Sequence, residues 1–302
     1  MENDLSLGAA WMNGTVIPIS QAKIPVNDWG LVHSDITYDV VPVIDGAFFR
    51  FDEYLARFLS SMENLHLDPG MSKRDIQAAL HQMVSKSSLR DSYVAMVCSR
   101  GKPKIAGSRD PRDCENHFFA WCVPYVHIIK PEIVKQGATA WIAQNAYRIP
   151  ENSVNPLVKN YHWGDFTQGI FEAKDKNYET VILLDYDGNV TEGPGFNVFA
   201  VKDKVLITPD RGVLAGVSRK TVLEMAEHLG INTSVRSLSV EELLEADEVF
   251  LSSSGGGVIP IIRVNETIFG NGASGPISVQ LNETYWKWTT LEKYRDPIDY
   301  AL

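Results

Sequence analysis

The sequence predicts an α+β protein of two domains. Three observations carry this expectation. Apolar residues recur at helical spacing in several segments, and runs rich in β-branched and aromatic residues lie between them. The two kinds of segment mix without strict strand–helix alternation, which argues against a doubly wound parallel sheet. Pro and Gly come together in the run IIKPEIVKQG, so the chain is expected to divide there. That places a small N-terminal α/β domain at residues 1–126, a linker at 127–138 and a larger mixed α/β, barrel-like domain at 139–302. A length of 302 residues is enough for two cores.

The elements follow in order. A helix is expected over residues 52–67, because Leu55, Phe58, Leu59, Met62 and Leu65 fall on one face, with Asp52 as N-cap. A second helix is expected over 73–89, capped by Ser72. Residues 93–99 (YVAMVCS) and 117–126 (HFFAWCVPYV) read as strands. Between them RGKPKIAGSRDPRDCEN reads as a long polar loop, and loops of that length are uncommon without a function. In the second half a strand over 139–144 leads through a loop to a helix over 163–177. TVILLDYDGNV turns at Asp187-Gly188, and FNVFAVKDKVLITP supplies further strands. A helix over 217–229, a strand at SVRSL, a helix at VEELLEA and a strand at EVFLSSS come next. The last helix starts at Pro276.

Composition excludes several classes. Hydrophobic residues at 44% and charged residues at 22% are those of a globular chain rather than a disordered one. A net charge of −10 argues against nucleic acid or an anionic membrane as partner. Three cysteines without C-x-x-C spacing fit reduced thiols in a cytoplasmic protein. The first residues lack the pattern of a secretory leader, and no stretch of 18 apolar residues is present, so neither secretion nor a membrane span is expected. No His pair has metal-ligand spacing, and no metal site is expected. Residues 270–275 match G-x-G-x-x-G, but too little chain follows to complete a β-α-β unit. A surface turn is the better reading.

Other residues point to chemistry. Lys159 stands in Asn155-Pro-Leu-Val-Lys159-Asn-Tyr-His-Trp163-Gly-Asp165. A lone lysine is ordinarily solvated, but this one is surrounded by Pro, Leu, Val, Tyr and Trp. In an apolar pocket a lysine has a lowered pKa and serves as nucleophile or base. Glu192 lies among glycines in Thr191-Glu192-Gly-Pro-Gly195-Phe-Asn197, where a ligand can approach the backbone. Gly216-Val217-Ser218 opens a helix, whose first N–H groups and dipole suit a phosphate. Ser252 to Gly257 follow a strand and offer hydroxyls and N–H groups to the same anion. Arg57 lies off the apolar stripe of its helix, so periodicity alone makes it a solvent residue.

These residues join in one resemblance. VKNYHWGDFTQGIFEAKD, GNVTEGPGFNVFAV, TPDRGVLAGVSRKTVLEMAEHLGI and DEVFLSSSGGGVIP, in that order, resemble fold-type IV pyridoxal-phosphate enzymes, the group of branched-chain and D-amino-acid aminotransferases. The match runs over roughly residues 28–280. Within the group, His33-Ser-Asp-Ile-Thr-Tyr38-Asp-Val and Lys159-Asn-Tyr-His-Trp163-Gly-Asp are most similar to the (R)-selective amine transaminases. Branched-chain enzymes usually carry a tyrosine where Gly164 stands.

The resemblance implies a transaminase that uses pyridoxal 5′-phosphate and moves an amino group from an (R)-amine or D-amino acid to a keto acid such as pyruvate. It implies that Lys159 binds the cofactor covalently and shuttles the proton, and that Glu192 faces the pyridine nitrogen. Arg57, Asn197, Val217, Ser218 and Ser253 would complete the cofactor site, with Arg57 on the phosphate despite its periodicity. His33, Tyr38, Tyr93, Trp163, Ser254 and Gly255 would line the substrate pocket, His33 from the neighbouring subunit of a homodimer. Amine transaminases of this kind place an arginine where Ala106 stands here, so Arg109 or Arg112 is expected to meet the keto-acid carboxylate. The same fold also supports D-amino-acid or branched-chain aminotransferases and an aminodeoxychorismate-lyase-like reaction.

Overall fold

The structure is a computed structural model that describes residues 4–301. The chain groups into two compact units. The first comprises Met1–Val126, Val158–His162 and Leu291–Leu302, and the second His127–Leu157 and Trp163–Thr290. Positions 1–3 and 302, the outer ends of the expected domains, lie outside the described residues. Two stretches from beyond residue 138 therefore belong to the first unit. A sequence boundary cannot show this, because each stretch joins by pairing with a distant strand edge.

The first unit contains β1 (Ala9–Met12), β2 (Thr15–Pro18), α1 (Trp29–Val32), β3 (Ile36–Ile44), β4 (Ala47–Phe49), α2 (Phe51–Asn64), α3 (Lys73–Ser87), β5 (Ser92–Pro103) and β6 (Cys114–Pro124). Helix α2 starts one residue earlier than its expected cap. Its N-cap is Arg50, in the left-handed region, and Asp52 and Glu53 fall in the first turn, where carboxylates suit the dipole. Ser72 caps α3 as expected, in a capping box with Asp75.

The expected loop between the two long strands is shorter than the sequence suggests. β5 runs to Pro103 and β6 begins at Cys114, with Lys102 opposite Glu115 and Pro103 opposite Cys114. The pair is irregular between Ser99 and Lys102. Gly101 sits there at φ +73°, and a Cβ on it would lie 1.9 Å from the Glu115 carbonyl oxygen. This end of the hairpin is largely exposed and polar, so no hydrophobic alternation announces it.

The second unit contains α4 (Pro131–Gln136), β7 (Ala138–Tyr147), α5 (Gly164–Asp175), β8 (Thr180–Leu184), β9 (Glu192–Gly193), β10 (Phe196–Lys202), β11 (Val205–Thr208), α6 (Val217–His228), β12 (Asn232–Val235), α7 (Val240–Leu244), β13 (Glu248–Ser253), β14 (Gly257–Val264), β15 (Thr267–Ile268) and α8 (Pro276–Trp288). The last strand, β16 (Arg295–Pro297), pairs with β4 in the first unit. The first sheet has the order β16-β4-β3-β5-β6-β1-β2 and is antiparallel throughout.

The second sheet runs β12-β11-β10-β13-β14-β7-β8 and mixes parallel and antiparallel pairs. β9 pairs with β10, and Val190 just before it bridges Leu184 of β8, so the path curls back on itself. The result is the expected α+β architecture with a barrel-like second sheet. Asp203-Lys204, both at positive φ, make the tight turn between β10 and β11. The chain at 270–275 forms surface turns and leads directly into α8, as expected. No helix among the described residues is long and apolar enough to cross a membrane.

The second core has two sides. Val198, Ala200, Val249, Leu251, Ile182 and Ile259 share one apolar cluster. Phe199 and Phe250 alternate to the opposite face of β10 and β13, where they stand opposite each other and stack at 4.9 Å, fully buried. Phe250→Ala is expected to lower the unfolding free energy by about 3–5 kcal/mol, read as an earlier urea midpoint with an unchanged slope.

Candidate functional site

In the first unit the strand alternation sorts the candidate residues. On β3, Thr37 and Asp39 share one face and Tyr38, Val40 and Pro42 the other. The segment that carries Lys159 lies along the free edge of this strand. Asn160 bridges Thr37, Thr37 Oγ1 donates to the Lys159 carbonyl at 2.6 Å, and the Lys159 N–H donates to Ser61 Oγ of α2 at 3.3 Å. These bonds aim the side chain. Lys159 Nζ sits 4.6 Å from the centre of the Tyr38 ring, on which Tyr161 stacks at 4.3 Å.

Arg57 does not point to solvent. Its Nε and Nη2 each donate to the Asp39 carboxylate at 2.7 Å, and only 13% of its side chain is exposed. Burial disfavours the charged guanidinium, but Asp39 outweighs it and holds the arginine pKa above its ordinary value. The periodicity reading fails because an ion pair, not apolar contact, draws this helix position inward. Asp39 is the one charged residue of β3, and that oddity is the signal the sequence offers for it.

Tyr93 stacks on Trp121 at 5.5 Å, on the face of the sheet that carries Tyr38. Its phenol is raised by burial first, then by Tyr38 and Asp39, so it stays neutral and able to donate through the ordinary pH range.

His33 and Arg109 are not drawn into this cluster. His33 is exposed at the end of α1, edge-on to Trp29 at 4.7 Å. The turn that bears it is fixed at both ends. Asp28 caps α1 through the Gly30 N–H, receives Ser99 Oγ and meets His117 Nε2 at 2.6 Å, while Arg100 forks onto Asp35. Arg109 is exposed in the connection between β5 and β6. Arg112, close by, is held by Asp110 of the same turn, which lowers the Asp110 pKa to about 2.

In the second unit Glu192 is 5% exposed and surrounded by donors. Arg148 Nε reaches Oε1 at 3.1 Å, and the Leu214 N–H reaches Oε2 at 2.8 Å. Asn197, opposite Glu192 in the β9–β10 pair, adds its Nδ2 at 3.4 Å and also donates to the Leu214 carbonyl. Asn197 thereby ties the carboxylate to the approach of α6. That helix begins after its N-cap Gly216 with no side-chain cap hydrogen bond, and the dipole of a helix start favours an anion there. A Cβ on Gly216 would lie 2.2 Å from Asn197 Oδ1, so the close approach requires glycine.

Ser218 Oγ stands 3.3 Å from the Tyr285 hydroxyl. Ser253 Oγ donates to the Gly195 carbonyl and accepts from the Gly255 N–H, which packs the Ser253–Gly255 turn against the turn after Glu192. Ser254 is half-buried in that turn. Trp163 is the N-cap of α5 and lies edge-on to Phe166 at 5.4 Å.

Arg148 and Asp165 were not singled out in the sequence. Arg148 Nη1 donates to Asp165 at 2.6 Å, and its guanidinium lies 4.3 Å from the Phe166 ring centre. Nothing local marks Arg148, because both its carboxylates come from distant parts of the chain.

The second unit thus offers a buried carboxylate and an uncapped helix start, and the first offers an oriented amine and a buried arginine. Within the second unit, the buried carboxylate suits a basic ring nitrogen and the helix start a phosphate, both of which pyridoxal phosphate carries. The fold agrees. A branched-chain amino acid aminotransferase from Thermobaculum terrenum, in its PLP holo-form, superposes with a TM-score of 0.85 over 99% of this chain and 100% of that one, at 23% identity. A branched-chain aminotransferase of Thermoproteus uzoniensis with norvaline gives 0.87 over 96% and 99%, at 26% identity.

In sequence, a putative branched-chain-amino-acid aminotransferase of Methanocaldococcus jannaschii is 27% identical over 91% of this chain and 94% of its own length. A D-alanine aminotransferase of Bacillus licheniformis is 29% identical over 88% and 92%. The family model of the class IV amino-transferases matches residues 37–264, and the chain belongs to that family. It is a pyridoxal-phosphate-dependent aminotransferase acting on amino and keto acids.

Because the Tyr93 pKa is raised in the folded state, its contribution to stability is complete below the unfolded value of about 10 and is lost as pH rises toward the folded value. Urea midpoints measured from pH 8 to 11 should fall above pH 10, and fall less steeply in Tyr93→Phe.

Proposed function

We propose that the protein transfers an amino group from an (R)-amine, or a D-amino acid, to a keto acid such as pyruvate in a ping-pong cycle. The observation that carries this reading is the apolar face of the first sheet on which Tyr38 lies. Beside Lys159, the residues facing the Tyr38 side between Tyr38 and Pro42, Tyr93 and Val97, and Phe119 and Val123 are aromatic or aliphatic, with no lysine or arginine among them. Such a surface favours a donor whose substituents are apolar over one with a fixed carboxylate.

Bound pyridoxal phosphate supplies the carbonyl that takes the amino group and a ring that draws electrons from the donor carbon. Lys159 would hold the cofactor covalently and, once the donor amine takes that place, its free amine would carry the proton taken from the donor carbon. Glu192 stabilises a proton on the ring nitrogen. Arg57, with the first N–H groups of α6 at Val217 and Ser218 and with Ser253, anchors the phosphate. Asn197 holds Glu192 in place. Tyr38, Tyr93, Trp163, Ser254 and Gly255 shape the pocket.

Arg109 meets the keto-acid carboxylate, since Arg112 is already held by Asp110. The protein acts as a homodimer in which His33 enters the partner's pocket. Leu31 and Val32 beside it are 57% and 52% exposed, apolar surface that suits such a contact. The free thiols Cys98, Cys114 and Cys122 support a cytoplasmic setting.

A D-amino-acid or branched-chain aminotransferase is the competing reading, favoured by the names of the relatives. Half-reactions with (R)-1-phenylethylamine, D-alanine and L-leucine separate them. The phenylethylamine should react fastest and L-leucine slowest, and the reverse order would refute the proposal. Lys159→Ala should abolish turnover and the lysine adduct trapped by borohydride. Arg109→Ala should raise the keto-acid KM about tenfold or more, the value of losing a charge-assisted hydrogen bond, while sparing the amine half-reaction. Equal loss in both half-reactions would count against the role given to Arg109.

A further inference from the structure

Arg148 lies between two carboxylates whose side chains are each 6% exposed, Glu192 and Asp165. The contact to Asp165 is the shorter, 2.6 Å against 3.1 Å. Asp165 is itself fixed, since its carboxylate accepts from the Ile149 and Phe166 N–H groups. Two buried anions share one buried cation, so the trio carries one negative charge in excess. A further cation that senses Glu192 is Arg219 of α6. It is committed to Thr208 Oγ1 and the Pro209 carbonyl, and Asp210 offsets its charge. Leu214 and Asn197 bring Glu192 neutral donors.

We propose that Asp165 is a positioning residue that divides Arg148 between two carboxylates, so that Glu192 keeps the negative charge that holds a proton on the cofactor's ring nitrogen. This rests on the reading that Glu192 faces that nitrogen. Without Asp165, Arg148 would answer to Glu192 alone and form a neutral pair, and a carboxylate neutralised in this way binds a second cation poorly. With Asp165 present, Arg148 orients Glu192 without cancelling it. The arrangement explains why a buried arginine can sit beside a carboxylate that must attract a proton on its other side.

The test uses holoenzyme loaded with cofactor labelled with nitrogen-15 in the ring, followed by NMR across pH. Asp165→Asn should lower the pH at which the ring nitrogen loses its proton by about one unit, the smaller end of the shift one neighbouring charge produces. It should also slow the single-turnover donor half-reaction about tenfold, the equivalent of that unit, and leave the cofactor dissociation constant unchanged. Asp165→Glu should restore the native midpoint. The double variant Asp165→Asn, Arg148→Gln removes one charge of each sign and should also show the native midpoint. It keeps the proposal testable should the single variant fold poorly, because deleting a whole buried pair is tolerated better than deleting one partner.

A native midpoint in folded Asp165→Asn, or a shifted one in the double variant, overturns the proposal. Glu192→Gln separates the two levels. It should abolish ring-nitrogen protonation near neutral pH. A native midpoint there overturns the Glu192 reading and this proposal with it, whereas an effect in Glu192→Gln with none in Asp165→Asn overturns the role of Asp165 alone.

Discussion

A guanidinium with little access to water has to be matched by carboxylates, and in the second unit this requirement organises everything around Glu192. Arg148 is 9% exposed, and removing it would leave two buried anions without the cation they share. Such a loss costs about 3–5 kcal/mol in proteins. The trio links the end of β7, the first turn of α5 and β9, three pieces that share no local sequence pattern. Once Glu192 is placed, Asn197 and the Leu214 N–H follow, and they in turn set the start of α6.

The first unit applies the same rule once more. Asp39 lies fully buried on β3 and takes both ends of the Arg57 fork, so a helix position that faces away from the apolar stripe is nevertheless turned inward. One strand therefore serves two purposes through its alternation. Its Asp39 side holds a cation against α2, and its Tyr38 side offers an aromatic surface beside the Lys159 amine. The alternation thus keeps the buried ion pair and the aromatic surface on opposite faces of one small sheet.

Much of the fold was legible where a segment's own residues decide its conformation. Ser72 and Asp75 specify the start of α3 whatever else is present, because the capping box closes within four residues. The apolar spacing of α2 and the β-branched runs of β5, β6 and β13 likewise appear where expected. The misjudged features were those with partners elsewhere. The hairpin beyond Ser99 looked like a loop because its exposed strands need no apolar alternation. The strand β12 starts two residues before the expected SVRSL and ends at its Val235, because its pairing with β11 selects Asn232–Val235.

By itself the sequence determined the kinds of element, the order of the linked motifs and the family to which those motifs belong. Local dihedral preferences, hydrophobic period and backbone-accessible glycines are properties of neighbouring residues. Only the tertiary structure decided that Arg57 turns to Asp39, 18 positions away, and that Arg148 meets Asp165 and Glu192, 17 and 44 positions away. A buried charge chooses its partner by distance in space, through the low polarisability of the interior, and nothing in the residues beside it along the chain records that choice.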